Sequence, residues 1–187
     1  FLRFSIVLDF IKRALSLQQV PPTSVLNGIA LFMTIFVMFP TLQTVYNNAL
    51  HPLSEGQIGI EEAYRQAEAP LRDFMLNQTV ERANDGSLNS RYISSFLKMA
   101  NLPLPNSPAD IPTYIIVPSY ILHELTVAFK IGIFLYIPFI VIDMVVASIL
   151  MSMGMMMLPP VQISMPFKLM LFVMVDGWGL LTQQLFL

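Results

Sequence analysis

Three charges sit where charges are costly. Asp143, Lys168 and Asp176 all fall within two long apolar stretches, one running 28 residues from Ile131 to Leu158 and the other from Pro166 to Trp178. An ionised side chain in such a stretch is disfavoured unless it is paired or reaches water, so each is a functional candidate. Joining the stretches is Gly154-Met155-Met156-Met157-Leu158-Pro159-Pro160, a short turn with three thioethers at its tip. Covalent chemistry has no comparable support. His51 and His123 are the only histidines, they lie in different segments, and neither has a serine or carboxylate pattern that forms a triad. His123 and Glu124 are adjacent, so on a helix they point about 100° apart and do not make a metal site. Phosphate loops and dinucleotide fingerprints are absent. No cofactor is expected.

Asp143 and Lys168 flank the turn almost symmetrically. Leaving either alone in a low-dielectric bundle costs several kcal/mol, so they are expected to form an ion pair. If Gly154 to Pro160 is all loop, a hairpin leaves them offset by roughly 6 Å at 1.5 Å per helical residue. That offset favours a pair between neighbouring copies, with Asp176 as a competing partner for Lys168 and a lone charge reaching a watery lumen as the alternative. Gly154 lets the first helix stop, and Pro159 and Pro160 keep a second from starting early. The three methionines occupy no single helical face. Composition alone leaves open an ordinary apolar loop in lipid or at a helix interface. Leu or Ile would pack such a static interface with better-defined rotamers, whereas Met suits a surface that deforms.

The elements that must carry these residues are membrane helices. Hydrophobic residues make up 55% of the 187 and charged residues 12%, against roughly 25% charged in ordinary soluble domains. There are 13 Met and 14 Phe, no Cys, and a net charge of −2 without a basic cluster. Disulfides, cysteine-type zinc sites, iron–sulfur clusters and a nucleic-acid footprint are therefore excluded. The spacing of Phe4, Val7, Leu8, Ile11, Ala14 and Leu15 predicts an amphipathic helix over 1–17, ended by Pro21-Pro22. A second helix restarts at a Thr23 or Ser24 cap and crosses the membrane with a kink at Pro40. Residues 1–50 thus form N-terminal membrane-associated helices. Residues 51–112 hold most of the charges and form a small helical lobe, with an apolar face at Ile60, Tyr64, Ala67, Leu71 and Phe74, a bend at Pro70, a turn at Asn84–Ser87 and a second helix over Leu88–Met99. Lys12 and Arg13 flank the first span while the lobe is net acidic, which places the lobe outside the cytoplasm. Residues 113–187 form the C-terminal hydrophobic hairpin. The fold class is an all-α integral membrane protein of long helical hairpins with a small outer lobe.

Two long motifs carry a family resemblance. The segment Pro118-Ser119-Tyr120-Ile121-Leu122-His123-Glu124-Leu125-Thr126-Val127-Ala128-Phe129-Lys130-Ile131-Gly132 and the segment Pro166–Trp178 resemble the two signature segments of the FliP family, export-gate subunits of flagellar and virulence-type secretion systems. The Gly154–Pro160 tip and Gln18-Gln19-Val20-Pro21-Pro22 are similar too. Ser119 and His123 depart from the family's usual small or hydroxyl residues. Family members begin with a cleaved signal peptide and an earlier apolar segment, so the chain starting at Phe1 reads as a trimmed mature protein. The resemblance implies a pentamer-like ring of copies in the bacterial inner membrane at the flagellar basal body, with a periplasmic lobe. It implies FliQ, FliR and FlhB-type subunits, lipid and unfolded export substrates as partners. It also implies a methionine gasket, Met155, Met156 and Met157, lining a closed pore, and intersubunit contacts at Glu124 and Lys130. The apolar face of the lobe is too large for a small lobe to hide alone, so Phe74 is expected to lie at a contact between copies as well. The expected function is the pore-forming, methionine-gated subunit of a flagellar protein export gate, not an enzyme. The injectisome counterpart is the runner-up, and a proton-coupled transporter using Asp143 and Asp176 is a weaker rival, since few polar residues line a midplane site.

Overall fold

The computed structural model describes the chain except residues 18–20, 80, 83–87, 90, 104, 106, 108–109, 156 and 187, with backbone alone at 81–82, 88–89 and 186. The stretch Gln18–Val20, the turn at Asn84–Ser87 and Met156 therefore lie outside the described residues. In chain order the elements are α1 (Leu2–Ala14), α2 (Thr23–Val45), a π-helical turn (Tyr46–Leu50), α3 (His51–Ser54), α4 (Ile60–Thr79), β1 (Glu81–Arg82), β2 (Leu88–Asn89), α5 (Arg91–Met99), α6 (Thr113–Ser152), α7 (Pro160–Met174) and α8 (Gly177–Phe186). Among the described residues the protein is an all-α membrane protein apart from the ribbon of two two-residue strands. Thr23–Ser54 and Thr113–Ser152 are each long and apolar enough to cross a bilayer, and α7 with α8 would make a third span bent by 67°. The chain forms two compact units, Phe1–Thr34 with Thr126–Leu187, and Ile35–Leu125.

In the first unit α1 packs with its apolar face inward. Its stripe of Phe4, Val7, Leu8, Ile11 and Ala14 is buried, as the 3.6-residue period requires. The helix stops at Ala14, well before Pro21-Pro22. The N–H of Ser16 donates to the Arg13 carbonyl and that of Leu17 to the Lys12 carbonyl, which is the paired closure of a helix whose next residue turns left-handed. Ser16 supplies that turn, at φ 60°. On α2 the Pro22 carbonyl accepts the first helical bonds, from Val25 and Leu26, so the helix starts on Pro22 rather than on a Thr23 or Ser24 cap. It runs on through Pro40, and the departure from α geometry comes later, in the π-turn.

Two of the apolar stretches have other bounds than hydropathy suggests. The run beginning at Ile131 belongs to a helix that starts at Thr113 and holds 40 residues, about twice what a bilayer core needs. The second run is broken: α7 is only 15 residues, and the chain turns at Asp176 (φ 50°) into α8. In the second unit Leu76, Ile93, Leu97, Ile111, Ile115 and Ile116 form the core. Arg72 of α4 donates to the Ile111 carbonyl and, at 3.4 Å, to Thr113 Oγ1, which itself donates to Glu68 Oε1 at 2.6 Å. That clasp ties the middle of α4 to the start of α6. Leu88-Asn89, expected at the start of a helix, instead pairs antiparallel with Glu81-Arg82, and α5 starts at Arg91.

Phe10 of α1 fits over Gly132 of α6 and meets Phe129 edge-on, ring centroids 5.4 Å apart. A Cβ at position 132 would stand 2.6 Å from Phe10 Cδ2. Gly132→Ala should therefore cost about 1–3 kcal/mol, the usual penalty of overpacking. Thermal melting of the purified protein in detergent measures this. Pairing it with Phe10→Ala should remove most of the added loss, and an alanine tolerated beside an intact Phe10 would contradict the packing.

Candidate functional site: a buried ion pair at the base of the methionine turn

The two helices that flank the turn bring Asp143 and Lys168 together within one chain. Lys168 Nζ stands 2.6 Å from Asp143 Oδ2. The expected offset between them disappears because both ends of the turn fall one residue earlier than assumed. Asp143 lies nine residues before the end of α6 at Ser152, and Lys168 lies eight after the start of α7 at Pro160. The pair thus closes across the hairpin and needs no second copy.

Two hydroxyls complete it. Ser164 Oγ donates to Asp143 Oδ1, and Lys168 Nζ donates to Ser16 Oγ at 2.8 Å. Ser164 and Lys168 are four apart on α7 and share one face, so both oxygens of the Asp143 carboxylate are held by the same helix. Ser16 comes from the closing turn of α1. Neither serine was singled out from the sequence. Ser164 carried a usable signal, its spacing from Lys168. Ser16 carried none, because nothing local marks a serine as the left-handed residue of a helix end.

Burial is unequal. The Lys168 side chain is 2% exposed and that of Asp143 is 27% exposed. An ammonium so far from water needs oxygen partners, since an uncompensated buried charge costs several kcal/mol. Placing Ser16 in the left-handed region costs roughly 1–2 kcal/mol. A hydrogen bond to a charged group returns about 1.5–3 kcal/mol, so the strained conformation is supported by what its hydroxyl binds.

Asp176 does not compete for Lys168. It precedes α8, its carbonyl accepts from the Leu180 N–H, and its Oδ1 accepts from the Gly179 N–H at 3.4 Å. It is the N-cap of α8, which satisfies one of the free donors at the helix start. Gly177 is needed at this corner because a Cβ there would run into the Phe172 ring, and Phe172 meets Trp178 edge-on at 5.3 Å.

The turn is stiff at its base. Gly154 (φ 74°) closes α6, with its N–H donating to Met151 and that of Met155 to Leu150. Pro160 is the first residue of α7 and Pro159 its N-cap, so Pro160 starts a helix rather than delaying one, at the position where its missing N–H is harmless. Met155 is exposed and Met157 is 99% exposed; Met156 lies outside the described residues. The remaining candidates are dispersed. Glu124 is buried, Lys130 is exposed, and Phe74 is half-buried against Tyr120 at a centroid distance of 6.3 Å. On α4 it is Ile60 and Tyr64 that stay exposed. Among the described residues there is no group of three or more His, Cys, Asp or Glu that could hold a metal.

A model of the FliP family matches residues 1–185. The chain belongs to the FliP family. It is 67% identical over 186 residues to the flagellar biosynthetic protein FliP of Treponema denticola, covering all of this chain and 66% of that protein. It is 62% identical over 186 residues to that of Treponema pallidum, with the same coverage of 100% and 66%. The protein of that name from Bacillus subtilis is 48% identical over 185 residues, 99% of this chain and 80% of its own length. This FliP-family chain therefore spans about two thirds of the length of its treponemal relatives.

The unequal burial sets an order of mutational cost. Asp143→Ala strands the ammonium and should cost about 3–5 kcal/mol. Lys168→Met leaves a carboxylate that keeps Ser164 and some water, and should cost less. The double variant should be more stable than Asp143→Ala alone. Melting curves of the three proteins in detergent give the order; a double variant no better than Asp143→Ala would mean the pair is not what holds the hairpin.

Proposed function

We propose that this chain is the pore-forming subunit of a flagellar protein export gate. Several copies, together with FliQ-, FliR- and FlhB-like subunits in the bacterial inner membrane, would surround a path for unfolded export substrates. Family membership and the names of these relatives, each a flagellar biosynthetic protein, support the flagellar setting. The observation that carries the gate reading is the turn between α6 and α7: apolar thioethers reaching into open space, Met157 at 99% exposure, on a base held by Gly154, Pro160 and the Asp143–Lys168 pair.

Copies arranged about an axis would bring these tips into a hydrophobic constriction, which blocks ions by dewetting. Thioether side chains change rotamer readily and yield to a passing chain. No covalent step is needed. A groove of about 440 Å³ along the hairpin, lined by Val141, Val145, Ile149, Ile163 and Phe167 with no polar surface, supports packing of the hairpin against other subunits. In the lobe of residues 51–112, which this reading places in the periplasm, contacts between copies fall on exposed Ile60 and Tyr64, with Lys130 as a second contact outside the lobe. Phe74 is already engaged with Tyr120.

Replacing Met155, Met156 and Met157 together by Ala should shorten the plug. Resting cells should then leak ions and become salt-sensitive while export persists in part. Single-channel conductance of the purified assembly reads the same change directly. An ion-tight triple variant with normal assembly would remove these residues from the gate. Tyr64→Asp should lower the yield of full-sized complexes on native gels without changing membrane insertion, and normal-sized complexes would exclude that surface from assembly.

A further inference from the structure

Ser16 stands out among the residues that end helices in the first unit. It occupies the left-handed position that glycine takes at the end of α6, at φ 60° against 74° for Gly154. Both helix ends are closed by the same two backbone hydrogen bonds, Ser16 to Arg13 and Leu17 to Lys12 at one, Gly154 to Met151 and Met155 to Leu150 at the other. The backbone alone would thus be served better by glycine at 16. What glycine could not supply is the hydroxyl, which accepts from Lys168 Nζ at 2.8 Å, 152 residues away in sequence. Lys168 is nearly sealed from water, so a lost oxygen is not readily replaced by solvent.

We propose that Ser16 is a positioning residue for the Asp143–Lys168 pair. Its hydroxyl is the second oxygen ligand of the buried ammonium, and through it the end of α1 fixes where Lys168 lies across the hairpin. The left-handed backbone at Ser16 and the buried lysine hold each other. Strain in α1's closing turn is offset only while the ammonium is present, and the ammonium is directed toward Asp143 from a fixed point only while α1 ends where it does.

This makes a prediction about sign. In the natural background Ser16→Gly eases the backbone yet should lower the melting temperature of the full protein in detergent, by about 2–4 °C. In a Lys168→Met background the same substitution should raise it, because only the relief of the left-handed residue remains. Ser16→Asn should restore the natural melting temperature, since asparagine accepts left-handed φ and carries an acceptor oxygen. Should Lys168→Met fail to fold, the Gly and Asn variants in the natural background still decide. A Ser16→Gly protein as stable as the natural one or more so would overturn the proposal. So would an Asn variant no better than Gly, or a Gly effect of the same sign with and without Lys168.

Discussion

A lysine ammonium with 2% of its side chain exposed constrains everything around it. It cannot be left in an apolar bundle without oxygen partners, and a carboxylate is the one that also cancels its charge. In this hairpin the carboxylate comes from α6, a supporting hydroxyl from α7 beside the lysine itself, and another hydroxyl from the end of α1. Three segments far apart in sequence are thereby fixed at one point. Sliding α7 by one residue against α6 would turn Lys168 away by about 100° and break the arrangement. Apolar side chains on these helices set no such register, because one Leu or Ile contact is nearly as good as the next.

The rest of the first unit shows the same division between stiff joints and adaptable surfaces. Helix ends are closed by left-handed residues at Ser16 and Gly154, and Asp176 turns the chain between α7 and α8. Each joint has side-chain chemistry suited to it. Gly154 has open space around it and is there for its φ; Gly177 is there because Phe172 fills the room a side chain would need. Asp176 supplies a cap where an apolar residue would leave helix donors bare. Between such joints the large apolar side chains left exposed on α6, among them Phe134, Ile137, Val141, Met144 and Ile149, are suited to lipid or to other subunits.

Much of this was legible in the residues. Charges inside apolar runs announce a pair, and the spacing of Phe4, Val7, Leu8 and Ile11 announces a buried helix face. What hydropathy could not give was where helices begin and end. Pro160 reads as a breaker until it is seen at the first helical position, and that boundary together with the end of α6 at Ser152 sets Asp143 and Lys168 at matching depths. Asp176 reads as one more membrane charge, although the Asp-Gly that follows a helical run is also what a cap looks like. Leu88-Asn89 read as the first residues of the helix over Leu88–Met99, and only their pairing with Glu81-Arg82 shows that the helix starts later, at Arg91. Ser16 was invisible for a more basic reason: its partner is 152 residues away, and no local pattern reports a contact of that separation.

A stiff base and a soft tip answer opposite demands on the proposed gate. A seal must return to one closed geometry, which calls for helices locked in register, and it must also pass chains of varied shape, which calls for side chains without a fixed conformation. An ion pair suits the first task better than more apolar packing, because misplacing it by a few ångströms leaves charges bare, a penalty that rises steeply with displacement. Methionine suits the second, because its several rotamers are close in energy. Exchanging the two would fail on both counts. Charged groups at the tip would carry water and ions into the constriction, and thioethers at the base would let the hairpin slip.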